Sequence, residues 1–329
     1  MEKELAKWIG VDEVELTQLA GGSSNLTFRV VSEKGDWVLR RPPMVHVLAT
    51  ANDMKREYTV QTALRDTDVP VARTVAFCDD ESVIGAPFYV MEYLDGVVVT
   101  TQMPPALDSP EERRRAGEDL VDALAEVHAV DWRACGLEGY GKPTGYLDRQ
   151  LRRFNGLWEY NKTRELPIIQ EVAEWLAENK PESPESTIVH GDYRLGNVML
   201  ANDAPARVIA IFDWELSTIG DPLADVGYMT VTWAEQDDPA DTSFASLSAV
   251  TRQSGFPTRE DLIARYEERT GRSVSALNWY QALALWKAAV FMEGNLKRFQ
   301  AGASDDEYLG LFVEGVPALA EAARQVAHS

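Results

Sequence analysis

Cysteine is scarce in this chain of 329 residues: there are two, Cys78 and Cys135, too few for a disulfide framework and without metal-ligand spacing. Both read as packing residues in a reducing compartment. Long apolar runs are missing too. No stretch approaches the roughly 18 apolar residues that a membrane-spanning helix needs, and the opening MEKELAKWIGVDE lacks the apolar core of a secretory leader. These absences point to the cytoplasm and away from a membrane partner. Basic charge is the third shortage, with 32 Lys and Arg against 53 Asp and Glu and a net charge of −21. Nucleic acid is therefore excluded as a partner, because a phosphate backbone needs a basic footprint. The acidic excess suits a solvated surface or a polycationic ligand. No internal repeat or low-complexity tract interrupts the chain. Its length allows a large core and two lobes.

The chemistry is concentrated between Ile188 and Asp225. The apolar run Ile188-Val189 leads into His190-Gly191-Asp192-Tyr193-Arg194-Leu195-Gly196-Asn197, and a second run, Val208 to Phe212, ends on Asp213. Both runs read as short buried strands. A single carboxylate at a strand end is common, but two of them, with an Asn five residues after the first, form a pattern suited to a divalent cation between a phosphate donor and an acceptor. Mg²⁺ takes oxygen ligands. Asp192 is the candidate base for an attacking hydroxyl, and Asn197 and Asp213 are the candidate metal ligands, following kinase catalytic-loop logic. His190 reads as a loop brace rather than a base. Asp225, in Asp221-Pro222-Leu223-Ala224-Asp225, reads as a buried carboxylate that holds the catalytic-loop backbone.

HGDYRLGN followed by IFDWELSTIGDPLADVGY resembles the aminoglycoside phosphotransferase family, and within it the subgroup similar to the kinase-like domain fused to acyl-CoA dehydrogenases. The likeness extends from LAGGSSNLTFRV through FYVMEYLDG to RYEERTGR. It implies an α+β, two-lobed protein-kinase-like fold: a small antiparallel β-sheet N-lobe with one helix, over residues 1–95, and a larger, mainly helical C-lobe over 96–329. It also implies ATP and Mg²⁺ as cofactors and a small-molecule acceptor.

The order of elements agrees with that expectation. Val14 to Leu19 and Leu26 to Val31 read as strands around a Gly-Gly hairpin tip. The resemblance places Gly22, Ser23, Ser24 and Asn25 of that tip over the donor phosphates, where glycine lets the backbone approach closely. A third strand, Asp36 to Arg41, stops at Pro42-Pro43. Where relatives carry a phosphate-gripping lysine, this chain carries Arg40, with Arg41 beside it. Strand alternation sends the two to opposite faces, and Arg40 is the one expected in the cleft. Ala49 to Leu64 reads as a helix whose Glu57 would pair with Arg40. Strands Arg73 to Cys78 and Pro87 to Tyr93 follow, and the resemblance puts Glu92, Tyr93 and Leu94 at the adenine edge.

Beyond a Gly- and Pro-containing boundary at Asp95 to Pro105, the chain turns helical. Ser109-Pro110-Glu111-Glu112 is a strong helix start, and Leu147 to Tyr160, Ile168 to Glu178 and Leu277 to Phe299 read as helices. Thr258 to Asp261 and Ser304 to Glu307 read as caps. The fusion-domain likeness implies a hydroxyacyl-CoA or hydroxy-acid acceptor, with Arg149, Arg152, Arg153 and Arg194 available for an anionic carrier. An aminoglycoside or another small-molecule acceptor, or a catalytically silent nucleotide-binding role, remains the alternative. The protein is expected to be a monomer or homodimer.

Overall fold

The computed structural model describes residues 1–19, 25–43, 53–183, 185–238, 245–303 and 306–329. The candidates Gly22, Ser23, Ser24, Ser304 and Asp305, and residues 49–52 of the helix expected over Ala49 to Leu64, lie outside the described residues.

Helix α1 (Glu2–Ile9) opens the chain, buries Leu5 and Ala6, and stops at Gly10, whose left-handed backbone admits no Cβ without strain. There follow β1 (Glu15–Gln18), β2 (Leu26–Ser32), β3 (Gly35–Arg41), α2 (Met54–Leu64), β4 (Thr74–Cys78), the single-turn α3 (Glu81–Ile84) and β5 (Phe88–Glu92). The strands form an antiparallel sheet in the order β1-β2-β3-β5-β4. Helix α2 starts where the Asp53 carboxylate accepts the Arg56 N–H at 3.0 Å. The sequence reading placed α2 in this lobe; α1 and α3 are additions, each too short to leave a clear helical period.

Alternation along β3 decides what faces the cleft. Val38 and Arg40 pair across to Met91 and Tyr89, and Val38, Tyr89 and Met91 pack with Met54 of α2. Leu39 belongs to the opposite face, where it packs with Val30, Phe88, Val90 and Leu5 of α1. A slip of one residue would bury the wrong arginine in the cleft.

The larger lobe begins with β6 (Gly96–Val97) and α4 (Pro110–Ala129). Helix α4 is capped by the Ser109 hydroxyl accepting the Glu112 N–H at 3.2 Å, with proline in the first turn. Next come α5 (Tyr146–Asn161), α6 (Pro167–Glu178), β7 (Thr187–Val189), β8 (Val198–Ala201), β9 (Val208–Ile211), β10 (Thr218–Gly220), α7 (Leu223–Thr232), α8 (Arg259–Thr270), α9 (Leu277–Gln300) and α10 (Phe312–Ala327). Strands β6, β8 and β9 pair in one small antiparallel sheet, β7 and β10 in another. Their tips carry the polar loop after Val189 and the turn after Ile211.

Helix α9 is the axis of this lobe. Trp279, Tyr280, Leu283, Trp286 and Val290 are buried around more than one stripe, as expected of a helix packed on several sides; α5, α6, α7 and α10 surround it. Its two tryptophans donate their indole N–H groups to the carbonyls of Leu176 and Ile169, both at 3.0 Å, which removes the cost of burying a polar group. Helix α7 comes close because a Cβ on Gly227 would meet the Tyr280 backbone at 2.7 Å. The whole is a two-lobed kinase-like α+β fold. Among the described residues, no helix is long and apolar enough to cross a membrane.

Candidate active site

The loop after β7 is fixed from behind. Asp225, buried in the first turn of α7, accepts the backbone N–H of His190 at 2.7 Å and of Gly191 at 2.8 Å. Gly191 has φ 90, a conformation that favours glycine, and a Cβ there would strike Leu216. The His190 ring braces the same loop. Its Nε2–H donates to the Phe212 carbonyl at 2.7 Å and its Nδ1 accepts the Asp192 N–H at 3.2 Å, so neither nitrogen is left for proton transfer. Behind Asp225, His128 Nε2 lies at 3.3 Å and His128 Nδ1 faces the Tyr266 hydroxyl at 2.7 Å. Burial pushes the Asp225 carboxyl up, but its hydrogen bonds to His128 and the loop amides outweigh that, and it sits below the usual carboxylate value.

This bracing presents Asp192 at the loop's tip. The Asn197 amide donates to both the Asp192 carbonyl and its Oδ2, each at 2.7 Å, which fixes the carboxylate and leaves the Asn197 amide oxygen directed elsewhere. Arg194 Nε stands 3.8 Å from the other oxygen. The Tyr228 hydroxyl of α7 also bonds to Asp192; burial and the neighbouring carboxylate push that phenol far up.

Across the cleft, Asp213 lies two residues beyond β9 with φ 67 and ψ 51, and it is the one non-glycine residue with a left-handed backbone among those described. Asp tolerates this region better than most residues, and the turn swings its carboxylate toward β3. There Arg40 Nη2 meets Asp213 Oδ1 at 3.1 Å and Glu57 Oε1 at 3.2 Å. Burial disfavours the Arg40 charge, but Glu57 and Asp213 outweigh it and raise its pKa. Arg41 is used differently: it donates to the Ile84 carbonyl at 2.8 Å on the far face of the sheet. Arg40 Nε has no hydrogen-bond partner among the described residues, nor does Asn25 Oδ1. Buried polar atoms of this kind point to an external partner.

The remaining candidates fall around this centre. Asn25 is buried and its amide donates to Glu215 Oε2 at 3.3 Å. Glu92 exchanges bonds with Arg73, its N–H donating to the Arg73 carbonyl at 2.9 Å and its carboxylate accepting the Arg73 N–H at 2.7 Å. Its carbonyl and the main chain of Tyr93 and Leu94 are what remain for an adenine edge. Arg29 lies over the Tyr93 ring, 4.3 Å from the centroid.

Several residues at the site were not singled out from sequence. Glu215, two past Asp213, has its carboxyl pushed up to about 7 by burial and by the charges of Asp213, Glu57 and Asp192. The DWE tripeptide was its only signal. Arg56, next to Glu57, reaches across to the other lobe: it donates to the Ser217 carbonyl at 2.7 Å and the Tyr140 carbonyl at 2.9 Å, and stacks 4.1 Å from the Tyr140 ring centroid. Nothing local in the helix marks it out.

The carboxylates of Asp213, Glu57 and Glu215 lie about Arg40, and that of Asp192 is near enough to act on Glu215, a donor set rich in oxygen. That set fits a hard divalent cation. The described residues hold no group of three His, Cys, Asp or Glu side chains that could bind a metal by themselves, so such a cation would need ligand phosphates to complete its shell, as Mg²⁺ commonly does.

A braced Asp-Asn loop, an Asp just beyond a strand and a buried Arg-Glu pair, on this fold, form the arrangement of a kinase-like phosphotransferase site. The sequence profile of the phosphotransferase enzyme family (APH) matches residues 15–262, and the chain belongs to that family. It is 34% identical over 314 residues to human acyl-CoA dehydrogenase family member 11, an alignment that covers 94% of this chain and 40% of that protein. The chain thus spans well under half the length of that relative. A Ralstonia eutropha structure assigned to the aminoglycoside phosphotransferases superposes with a TM-score of 0.83 at 33% identity, covering 99% of this chain and 98% of the other. Aminoglycoside phosphotransferase APH(4)-Ia, in ternary complex with ADP and hygromycin B, shares the fold at a TM-score of 0.65 and 14% identity, covering 99% and 98% of the two chains.

Proposed function

We propose that this chain moves the γ-phosphoryl group of ATP to a hydroxyl of a small-molecule acceptor, a hydroxyacyl-CoA or hydroxy acid, in the cytoplasm. The observation that carries this reading is the Asp192 carboxylate, held by Asn197 at 2.7 Å, with Glu215 within the field of both Asp192 and the Asp213-Arg40-Glu57 cluster. The nucleotide would lie between the sheet lobe, residues 1–95, and the helical lobe, residues 96–329. Its phosphates would meet Arg40, Asn25 and the glycine tip Gly22-Ser23-Ser24, with its base against Glu92, Tyr93 and Leu94. The ADP in the APH(4)-Ia complex supports a nucleotide ligand on this fold.

In this reading Asp192 accepts the acceptor's hydroxyl proton while the new O–P bond forms and the bond from the γ-phosphorus to ADP breaks. Asn197 and Asp213 would hold Mg²⁺, which when bound offsets phosphate charge. Arg40 keeps its own charge and forks onto phosphate oxygens, a geometry different from a lysine's point charge. Glu57 and Asp213 keep that guanidinium from swinging away.

Two outcomes are expected. Arg40→Ala lowers kcat/KM for ATP roughly a hundredfold, equivalent to about 2.7 kcal/mol, Glu57→Gln does so less, and Arg41→Ala leaves ATP use intact. Steady-state kinetics with varied ATP check this, and a crippled Arg41→Ala beside a normal Arg40→Ala would reverse the assignment. Asn197→Ala and Asp213→Ala each raise the Mg²⁺ needed for half-maximal nucleotide binding by roughly 10–100-fold. A metal titration that superposes on the parent protein for both variants would remove the metal site from these residues.

A further inference from the structure

Helices α5 and α9 pack together, and at their contact one ring is flanked by two cations. The Lys287 ammonium lies 4.9 Å from the Phe154 ring centroid and the Arg153 guanidinium 5.9 Å from it. Neither side chain has an ion pair or hydrogen bond with any described residue; the ring is the contact they share. Two other lysines pair with carboxylates, Lys162 with Glu159 and Glu165 and Lys180 with Asp148.

Lys287 is half-buried, whereas Arg153 is exposed at the rim. The carboxylates that Lys287 senses are Asp225 and Asp192. Both are already engaged, Asp225 by two backbone N–H groups and His128, Asp192 by Asn197 and Arg194. Burial and the neighbouring Arg153 push the ammonium down to about 8, so it stays mostly protonated at neutral pH. Two like charges beside one ring, without a counterion, are held at an electrostatic cost that an anionic ligand would remove. The adjoining Phe154 is half-buried and offers apolar surface to a carbon chain.

We propose that Lys287, assisted by Arg153, binds an anionic group of the acceptor and thereby sets its hydroxyl at Asp192. The acceptor class is then a hydroxylated compound bearing a carboxylate or phosphate. A polycationic aminosugar would be repelled at this wall. The proposal rests on the phosphotransferase reading above and names the acceptor for that same site.

The test compares matched acceptors: hydroxyhexanoic acids, their CoA thioesters, hexanediols and kanamycin, each with the parent protein, Lys287→Met and Lys287→Arg. With the anionic acceptors, Lys287→Met is expected to lower kcat/KM roughly 10–100-fold, the size of one charge-assisted hydrogen bond, with KM for ATP unchanged. Lys287→Arg recovers most of the loss. The diols, used poorly by the parent, show no further loss. Free acids against thioesters tell a carboxylate contact from a CoA phosphate contact. A second readout needs no turnover: the resonance of ¹³C-dimethylated Lys287, assigned with Lys287→Arg, titrates at higher pH when a hydroxyhexanoate, a thioester or inorganic phosphate is added, and not with a diol. Diols or kanamycin used by the parent as well as the anionic acceptors, anionic acceptors used equally by parent and Lys287→Met, or a Lys287 resonance indifferent to every anion, overturns the proposal and leaves the phosphotransferase reading standing. Absence of Asp192-dependent ATP turnover with all acceptors overturns that reading instead, while the resonance still decides whether Lys287 binds an anion.

Discussion

Asp192→Ala is expected to leave nucleotide affinity nearly unchanged and to cut phosphoryl transfer by roughly 10²–10⁴-fold, the range for a positioned general base. The expectation follows from where the side chain stands. Its Oδ2 is fixed by the Asn197 amide and the loop beneath it by Asp225, whereas the proposed nucleotide contacts lie across the cleft on Arg40 and Asn25. Truncation therefore removes the proton acceptor and spares the donor site. Calorimetric titration with ATP gives the affinity, and coupled detection of ADP gives the rate. Asp192→Asn is the sharper variant because it keeps the size and loses the basicity. Turnover within a few-fold of the parent in either variant would remove Asp192 from the role of base.

Asp225→Ala is expected to act on the same loop through stability, at a cost of about 3–5 kcal/mol, as when one member of a buried charged network is deleted. The His190 and Gly191 N–H groups and His128 Nε2 would all lose their acceptor, and water cannot reach them at a fully buried site. Urea denaturation measures the loss. The pH dependence has a definite sign. Because the folded-state carboxyl lies below its usual value of about 3.9, its contribution is fully present above that pH and disappears as pH falls through the folded value. Asp225→Asn should flatten that acid limb, since its amide no longer titrates. A denaturation midpoint unchanged in Asp225→Ala would contradict the bracing role.

The candidate strip from Ile188 to Asp225 is legible because its signals are local. Strand alternation separates Arg40 from Arg41 at a glance, and the structure has them on opposite faces, one on Glu57 and Asp213, the other on the Ile84 carbonyl. The caps at Ser109 and Thr258 likewise follow from a few adjacent residues. What sequence hid depends on packing between distant segments. Lys287 and Phe154 are more than a hundred residues apart and meet because α5 lies on α9. Tyr228 reads as an ordinary aromatic of α7 until that helix is placed behind Asp192. Glu215 is beside the motif, yet only the left-handed turn at Asp213 shows where its carboxylate goes. Glu92 is an intermediate case: the resemblance points to it, but its hydrogen bonds to Arg73 are set by the packing of β4 and β5 in space.

Arg56 bears on how such an enzyme can be governed. It occupies the helical turn of Glu57, and its guanidinium is lodged in the carbonyls of Ser217 and Tyr140 in the other lobe. Kinase-like proteins that act as signalling switches are turned off by moving the helix that carries this glutamate. Here that displacement would strip hydrogen bonds to a charged donor, each worth about 1.5–3 kcal/mol, together with the stacking on Tyr140. These contacts tie the helix to the Ser217 and Tyr140 backbone of the other lobe and hold it where Glu57 meets Arg40.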